Sequence, residues 1–299
     1  MAKRQYGEPL EPVETELSGD GPKLFARAHR VDQASAAIVL LHGICEHSGR
    51  LANLEAGLVE RGFSTFAIDL RGHGRSGDVD GRRVHIEEFD DYQGDVDRAL
   101  AWARSQEPEL PLFLVGHSMG GLIVLRHALL HAGSEVAGVV ALAPPIRLTF
   151  WKNSQALIAA GLTLPTGGRF APLGDGLLKR LSAKDLSRDP AVGEAFKKDD
   201  LVRANFTMRL ITKLRAAGLD LLARAADVEK PILILHGLSD PITSAEGSRV
   251  FREFRSSHTT TCFYRGALHE LHNELPDTRT EVLDDIVRWL EDRLAVHPA

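Results

Sequence analysis

The sequence lacks the features that mark secreted, metal-binding and membrane-spanning proteins. Only 2 cysteines occur among 299 residues, so no disulfide framework is expected and a reducing compartment is favoured. Cysteine and histidine never occur at the spacing of a metal site, and we expect neither a metal nor another cofactor. No run of 18 apolar residues is present, which argues against a membrane-spanning helix.

Targeting and charge signals are weak as well. The first residues, MAKRQYGEPLEPVE, are partly basic but lack the apolar centre of a signal peptide, so we expect a cytoplasmic protein. The formal net charge of −5 gives no reason to expect nucleic acid or an acidic membrane surface as a partner. Hydrophobic residues at 43% and charged residues at 26% are typical of a globular chain.

One stretch, LFLVGHSMGGLIVL at residues 112–125, carries the strongest functional signal. Its apolar start, 112–115, predicts a strand buried on both faces of a parallel sheet, and the apolar spacing at its end predicts a helix. Between them lies a G-x-S-x-G pattern, in which Gly116 and Gly120 flank Ser118. A strand, a sharp turn and a helix in this order are typical of a nucleophile elbow, whose serine lies at a helix N-terminus.

Strand-like and helix-like segments alternate along most of the chain. Two short segments around a turn predict an antiparallel hairpin at a sheet edge, at 13–18 and 23–29. Buried strands are predicted at 36–41, 63–70, 112–115, 136–143, 231–236 and 259–264, and helices at 50–61, 85–105, after Ser118 to 131, and 281–294. This alternation implies right-handed crossovers and a mostly parallel α/β sheet flanked by helices.

The pattern changes between residues 146 and 228, where we predict helices and no strand. Helix-like stretches lie at 150–164 and 205–226, and 186–190 resembles a helix start. We interpret 146–228 as a helical cap inserted into a core of residues 1–145 and 229–299. Its large apolar side chains predict an acyl tunnel and contact with lipid aggregates: Phe150, Trp151, Leu157, Ile158, Leu162 and Leu164. The alternative is that they only pack the cap onto the core or form a dimer.

A serine nucleophile needs a base, and the base needs an orienting acid. In an elbow architecture these partners follow later strands, in the order Ser, Asp, His. Asp240 follows the strand PILILH, and His269 follows the strand TTTCFY. We therefore expect Ser118, Asp240 and His269 to form a catalytic triad, with His272 as the rival for the base.

Two backbone amides are needed for an oxyanion hole. One is expected from Met119, the residue after the nucleophile. The other is expected from Ile44, in the loop after the strand at 36–41. His42, in the same loop, either takes part or only supports the loop.

These motifs, as a set and in this order, resemble those of the monoglyceride lipase and lysophospholipase family. The matching segments are HGICEHSGR at 42–50, GHGRS at 72–76, GHSMGG at 116–121, LSRDP at 186–190, HGLSD at 236–240 and HELHNE at 269–274. The resemblance covers nearly the whole chain and implies an α/β-hydrolase fold with a helical cap over Ser118. It also implies hydrolysis of monoacylglycerols or similar single-chain esters. One departure is Leu51, where many members carry an aromatic residue.

The same resemblance implies that Glu46, Arg50 and His272 line the pocket that receives the alcohol. From the residues alone, Glu46 and Arg50 could equally be an i, i+4 ion pair at a helix start, and His272 could be an ordinary loop residue.

Several other functions fit the same residues. A lysophospholipase or a general carboxylesterase would use the same triad. A proline-iminopeptidase-like peptidase would need an acidic site for an amino group, which Glu46 could supply. Dehalogenases and epoxide hydrolases need a carboxylate where Ser118 stands. A non-catalytic binding protein of this fold need not keep Ser118, Asp240 and His269 together.

Overall fold

A computed structural model of the chain describes residues 7–147, 172–173, 183–203, 206–255 and 258–296. The predicted apolar runs form the strands of a central sheet. Within the described ranges the strands are β1 (Val13–Leu17), β2 (Leu24–His29), β3 (Ala37–Leu41), β4 (Ser64–Ile68), β5 (Leu112–His117), β6 (Val136–Leu142), β7 (Pro172–Leu173), β8 (Phe206–Thr207), β9 (Ile232–Gly237) and β10 (Thr259–Tyr264).

Eight of these strands form one sheet in the order β1-β2-β4-β3-β5-β6-β9-β10. The pairs β1–β2 and β2–β4 are antiparallel, and the other neighbouring pairs are parallel. The hairpin predicted at the sheet edge and the mostly parallel sheet are both confirmed. Parallel order brings the carboxyl ends of β3, β5, β9 and β10 to the same edge of the sheet, where ligands bind in open α/β sheets.

Helices cover both faces of the sheet. In the described part of the chain they are α1 (Ala52–Val59), α2 (Asp91–Gln106), α3 (Met119–Leu130), α4 (Pro190–Lys198), α5 (Met208–Ala223), α6 (Ala245–Phe254) and α7 (Pro276–Val296). Among the residues described, no helix combines the length and apolar character needed to cross a membrane.

Two helix starts differ from the predicted ones. The prediction placed the start of α2 at residue 85, but the helix begins at Asp91. Val84 has a φ of 45°, and the His85 ring contacts the Thr207 hydroxyl at 2.9 Å. The segment before α2 is therefore held against β8 and is not part of the helix. The last helix begins at Pro276 rather than residue 281, because proline fits the first helical position.

The alternation of side chains along the strands divides the core into two layers. In β3, Val39 and Leu41 pack into the layer that contains side chains of α2, α3 and α5. Ile38 and Leu40 point to the opposite face, into the layer that contains side chains of α1 and α7. Both faces are therefore apolar, as expected for a parallel sheet covered by helices.

The region predicted as a cap is described only in part. Helices α4 and α5 lie within it, and so does a short antiparallel pairing of β7 with β8. This pairing corrects the prediction that the region contains no strand. The helix predicted at 150–164, with Phe150, Trp151, Leu157, Ile158, Leu162 and Leu164, lies outside the described residues. The division into core and cap stays a prediction.

Candidate active site

Ser118 lies in a strained turn between β5 and α3. Its φ is 50° and its ψ is −117°, a backbone conformation that few non-glycine residues adopt. The flanking glycines are needed for the close passage of the chain. A Cβ on Gly116 would lie 2.2 Å from the Gly120 carbonyl oxygen, and one on Gly120 would lie 2.4 Å from that of Leu41. The local sequence thus forms the predicted elbow and places Ser118 at the N-terminus of α3.

Asp240 and His269 form a buried pair at the ends of β9 and β10. His269 Nδ1 donates to Asp240 Oδ2 at 2.8 Å, which leaves Nε2 as the ring nitrogen that can accept a proton. Burial alone would lower the pKa of His269, but the charge and hydrogen bond of Asp240 raise it above its ordinary value. Burial would likewise raise the pKa of Asp240, but His269 and His236 hold it well below its usual range. Asp240 is therefore a carboxylate.

Thr243 also holds the Asp240 carboxylate, a contact that the sequence interpretation missed. The Thr243 hydroxyl donates to Asp240 Oδ2 at 2.7 Å. Asp240 Oδ1 accepts from the backbone N–H groups of Ile242 and Thr243 at 2.8 and 3.0 Å. An Asp-turn of this kind is typical of an aspartate followed by proline, as here by Pro241. The sequence therefore contained a signal for this turn, in the Asp240–Pro241 pair.

The two amides expected for the oxyanion hole lie on loops next to Ser118. Met119 is the first residue of α3, so its N–H has no acceptor within the helix. No described residue accepts a hydrogen bond from the Ile44 N–H. A Cβ on Gly43 would lie 3.1 Å from Ser118 Cβ, so the loop that carries Ile44 runs directly beside the serine.

His42 supports this loop from within the core. Its Nδ1 donates to the Gly43 carbonyl at 2.7 Å, and its Nε2 accepts from the Leu70 N–H at 2.9 Å. Burial lowers the pKa of His42, so the ring is neutral and both nitrogens are used. The structure thus favours the supporting role for this residue.

The Glu46 side chain forms hydrogen bonds with both Gly43, just before Ile44, and His117, just before Ser118. Its Oε1 accepts from the Gly43 N–H at 2.5 Å and from His117 Nδ1 at 3.0 Å. Burial alone would raise the pKa of Glu46, but His117 and Arg50 lower it well below its ordinary value. Glu46 is therefore a buried carboxylate that fixes the oxyanion loop relative to the elbow.

Arg50 is held between two carboxylates. Its Nε lies 3.3 Å from Glu46 Oε2, and its NH2 group donates to both oxygens of Glu270, at 2.7 and 2.8 Å. The guanidinium lies over the Phe196 ring, 4.9 Å from the ring centroid. Asn273 completes the cluster by donating to Glu270 Oε2 at 2.7 Å. The i, i+4 ion pair between Glu46 and Arg50 that the sequence suggested is therefore present, and Glu270 adds a second carboxylate to it.

His272 lies behind His117 rather than at an open surface. The two rings are 4.7 Å apart between centroids, and the His117 ring lies 4.8 Å from that of His269. Burial holds the pKa of His272 well below its ordinary value. Three imidazole rings thus lie in a row at steep angles to one another, with His269 at one end and His117 in the middle.

These residues surround a small, partly open cavity beside Ser118. Its lining residues are Gly43, Ile44, Glu46, His117, Ser118, Leu186, Phe196, Ile242, His269 and Glu270. Of the predicted alcohol-side residues, Glu46 lines the cavity, whereas Arg50 and His272 are not among its described lining residues. Arg50 lies outside the cavity lining because its guanidinium is bound by Glu270, which is 220 positions away in the sequence. No local sequence pattern could indicate this pairing.

A segment of the predicted cap, Leu186–Asp189, is bound to the loop that carries His269. We name it the strap. The Glu270 N–H donates to the Leu186 carbonyl at 2.7 Å, and the Ser187 hydroxyl donates to the Asn273 carbonyl at 2.8 Å. Arg188 Nε donates to the buried Glu274 carboxylate at 2.9 Å. The strap therefore contacts the loop at several points just after His269.

The raised pKa of His269 leads to a prediction about pH. Only the neutral imidazole can accept the serine proton, so kcat/KM should fall as the pH drops through the pKa of the free enzyme. Because Asp240 raises that pKa, the acid limb should have its midpoint above about 6.5. The measurement is kcat/KM on a soluble ester from about pH 5 to 9, with Tm followed at each pH. A midpoint below about 6 in folded protein would contradict the assignment.

Comparisons with known proteins identify the family of the chain. Residues 32–276 match the family described as serine aminopeptidase, S33. The chain is 33% identical to a monoacylglycerol lipase of Mycolicibacterium smegmatis, over 86% of this chain and 88% of that protein. It is 30% identical to the human monoglyceride lipase, over 96% and 93% of the two chains. A soluble variant of the Saccharomyces cerevisiae monoglyceride lipase, solved with a substrate analogue, superposes with a TM-score of 0.80 at 25% identity, covering 94% of this chain and 96% of that chain.

Proposed function

The chain belongs to the serine aminopeptidase S33 family of α/β-hydrolases and is a carboxylic ester hydrolase, and from this premise we propose that it cleaves monoacylglycerols into a fatty acid and glycerol. The observation that carries the proposal is the cavity that holds Ser118 and His269. Its lining combines apolar side chains, among them Ile44 and Leu186, with the carboxylates of Glu46 and Glu270. A single-chain ester with a hydroxylated alcohol combines the same two kinds of chemical group.

We assign the reaction steps to five residues. Ser118 attacks the acyl carbonyl carbon while His269 Nε2 takes the hydroxyl proton, and Asp240 orients the ring and stabilises its positive charge. The N–H groups of Ile44 and Met119 stabilise the oxyanion. His269 then returns the proton to the leaving alcohol, which departs as glycerol. Water attacks the acyl-enzyme by the same route in reverse, releasing the fatty acid and the serine hydroxyl.

The alcohol is proposed to lie against the polar part of the wall. Two free hydroxyls would cost roughly 1–3 kcal/mol each if they were buried without partners, so glycerol belongs where acceptors are available. Glu46 and Glu270 supply carboxylate oxygens there. In this proposal Arg50 and His272 do not touch the alcohol. Arg50 binds and positions both carboxylates, and His272 packs against His117.

We further propose that residues 146–228 form the cap over this cavity. Leu186 and Phe196, which belong to that region, line the cavity beside Ser118. The acyl chain would run along these apolar side chains, where its burial is favourable. Contact of the cap with lipid aggregates stays a proposal, since Phe150 and Trp151 lie outside the described residues.

The test compares two esters of one fatty acid, the monoacylglycerol and the methyl ester, both below their critical micelle concentrations. A site with a polar wall for hydroxyls should disfavour an alcohol that lacks them. We expect kcat/KM to be at least about tenfold higher for the monoacylglycerol. Equal values would favour the second candidate, a general carboxylesterase. Cleavage of aminoacyl amides in preference to both esters would point instead to a peptidase.

A further inference from the structure

The polar part of the cavity wall carries an excess of negative charge. Glu46 and Glu270 both line the cavity, and their side chains are only 4% and 1% exposed. The single cation between them, Arg50, binds both and is not among the described lining residues. The three side chains together carry one net negative charge, and the carboxylates are the charged groups nearest the cavity.

Neighbouring charged groups do not reverse this sign. Asp240 is paired with His269, and Arg188 is paired with Glu274. On the oxyanion loop, His47 lies 2.9 Å from Asp199. These pairs add no net positive charge, so the surplus of Glu46 and Glu270 over Arg50 is retained.

We propose that Glu270, together with Glu46, makes the leaving-group side of this cavity select against phosphate-bearing alcohols, so that neutral polyol esters are substrates and lysophospholipid-type esters are rejected. The inference rests on the proposed function, because it concerns the alcohol that function releases. Glu270 is the specificity-determining residue on this account. It acts on the leaving group through its charge and takes no part in proton transfer.

Arg50 does not offer a phosphate an alternative partner. A phosphate that displaced Glu270 from the guanidinium would leave the Glu270 carboxylate buried without its cation, which is strongly unfavourable. Stacking on Phe196 holds the guanidinium in its present place as well. Hydroxyl groups avoid this conflict, because they can donate hydrogen bonds to carboxylate oxygens without displacing Arg50.

The experiment uses the full chain with 1-octanoylglycerol and 1-octanoylglycerol 3-phosphate, both below their critical micelle concentrations. Like charges placed side by side in a partly buried site discriminate strongly, so wild-type kcat/KM should be at least about a hundredfold lower for the phosphate. Glu270→Gln keeps the size and an acceptor oxygen but removes the charge. It should raise the ratio of kcat/KM for the phosphate to kcat/KM for the neutral ester at least about tenfold.

The matched control is Glu109→Gln, which removes an equal charge. Glu109 is exposed and lies just before β5, at the N-terminal end of the strand, whereas Ser118 follows its C-terminal end. Its two kcat/KM values should match those of the wild type.

Three outcomes would overturn the inference. Equal wild-type cleavage of the two substrates would remove the discrimination while leaving the proposed function intact. An unchanged ratio in folded Glu270→Gln would remove the role of the carboxylate charge. Cleavage of p-nitrophenyl octanoate without any cleavage of 1-octanoylglycerol would instead overturn the proposed function, and this inference with it.

Discussion

Ser118→Ala should lower kcat for ester hydrolysis by about 10⁴- to 10⁶-fold while leaving the fold unchanged. The substitution removes one oxygen, and with it the atom that would form the acyl-enzyme. Alanine should occupy the strained turn about as easily as serine. Serine carries one heavy atom on Cβ and alanine carries none, so neither side chain is branched at Cβ. We therefore expect Tm within about 3 °C of the wild type.

The measurement is single-turnover and steady-state hydrolysis of a p-nitrophenyl ester, together with labelling by a fluorophosphonate. Wild-type protein should be labelled at one serine, and Ser118→Ala should not be labelled. Ser105→Ala is a suitable control, because Ser105 is exposed near the end of α2 and is not among the residues that line the cavity. Full activity in purified Ser118→Ala, or labelling of a different serine, would remove the nucleophile assignment.

Asp240→Asn should lower kcat/KM by about 10³- to 10⁴-fold. Asp240 Oδ2 accepts from both His269 and Thr243, which requires an oxygen at that position. An asparagine amide turned toward the ring would donate to Nδ1, so the histidine proton would move to Nε2 and the ring could no longer accept from Ser118. Loss of the negative charge should also move the acid limb of the pH profile to lower pH, because Asp240 raises the pKa of His269.

Asp292→Asn is the control, since Asp292 is exposed on α7 and the change in charge is the same. It should leave both the rate and the pH profile unchanged. A loss of less than about tenfold in Asp240→Asn at unaltered Tm would mean that the carboxylate does not orient the base. A rate loss with the acid limb unmoved would mean that the substitution acts through the turn at residues 240–243 rather than through the charge.

The parts of the structure that could be predicted are those encoded within a few neighbouring residues. The buried strands, the edge hairpin and the turn at Ser118 depend on local apolar patterning and on glycines where a Cβ would collide with backbone. Asp240 and His269 could be placed because parallel strands bring their carboxyl ends to one edge. The position of His269 directly after the last predicted strand also favoured it over His272, and the family resemblance added the order of the motifs.

The parts that could not be predicted depend on contacts between distant segments. Glu270 follows His269 directly, yet nothing in the neighbouring residues indicates that it binds Arg50. That pairing moves Arg50 out of the cavity lining and brings a second carboxylate into it. The late start of α2 has a similar cause, because His85 is held by Thr207 of a short strand that no pattern indicated.

The strap fixes one end of the predicted cap to the loop of the proposed base. Lifting that end would break the hydrogen bonds that Leu186 and Ser187 make with residues just after His269. It would also free Glu274, which accepts from the Leu268 N–H just before His269. The position of the proposed base therefore depends on a segment that lies about 80 residues before it in the sequence, so a substitution in the strap acts on the same loop as one beside His269.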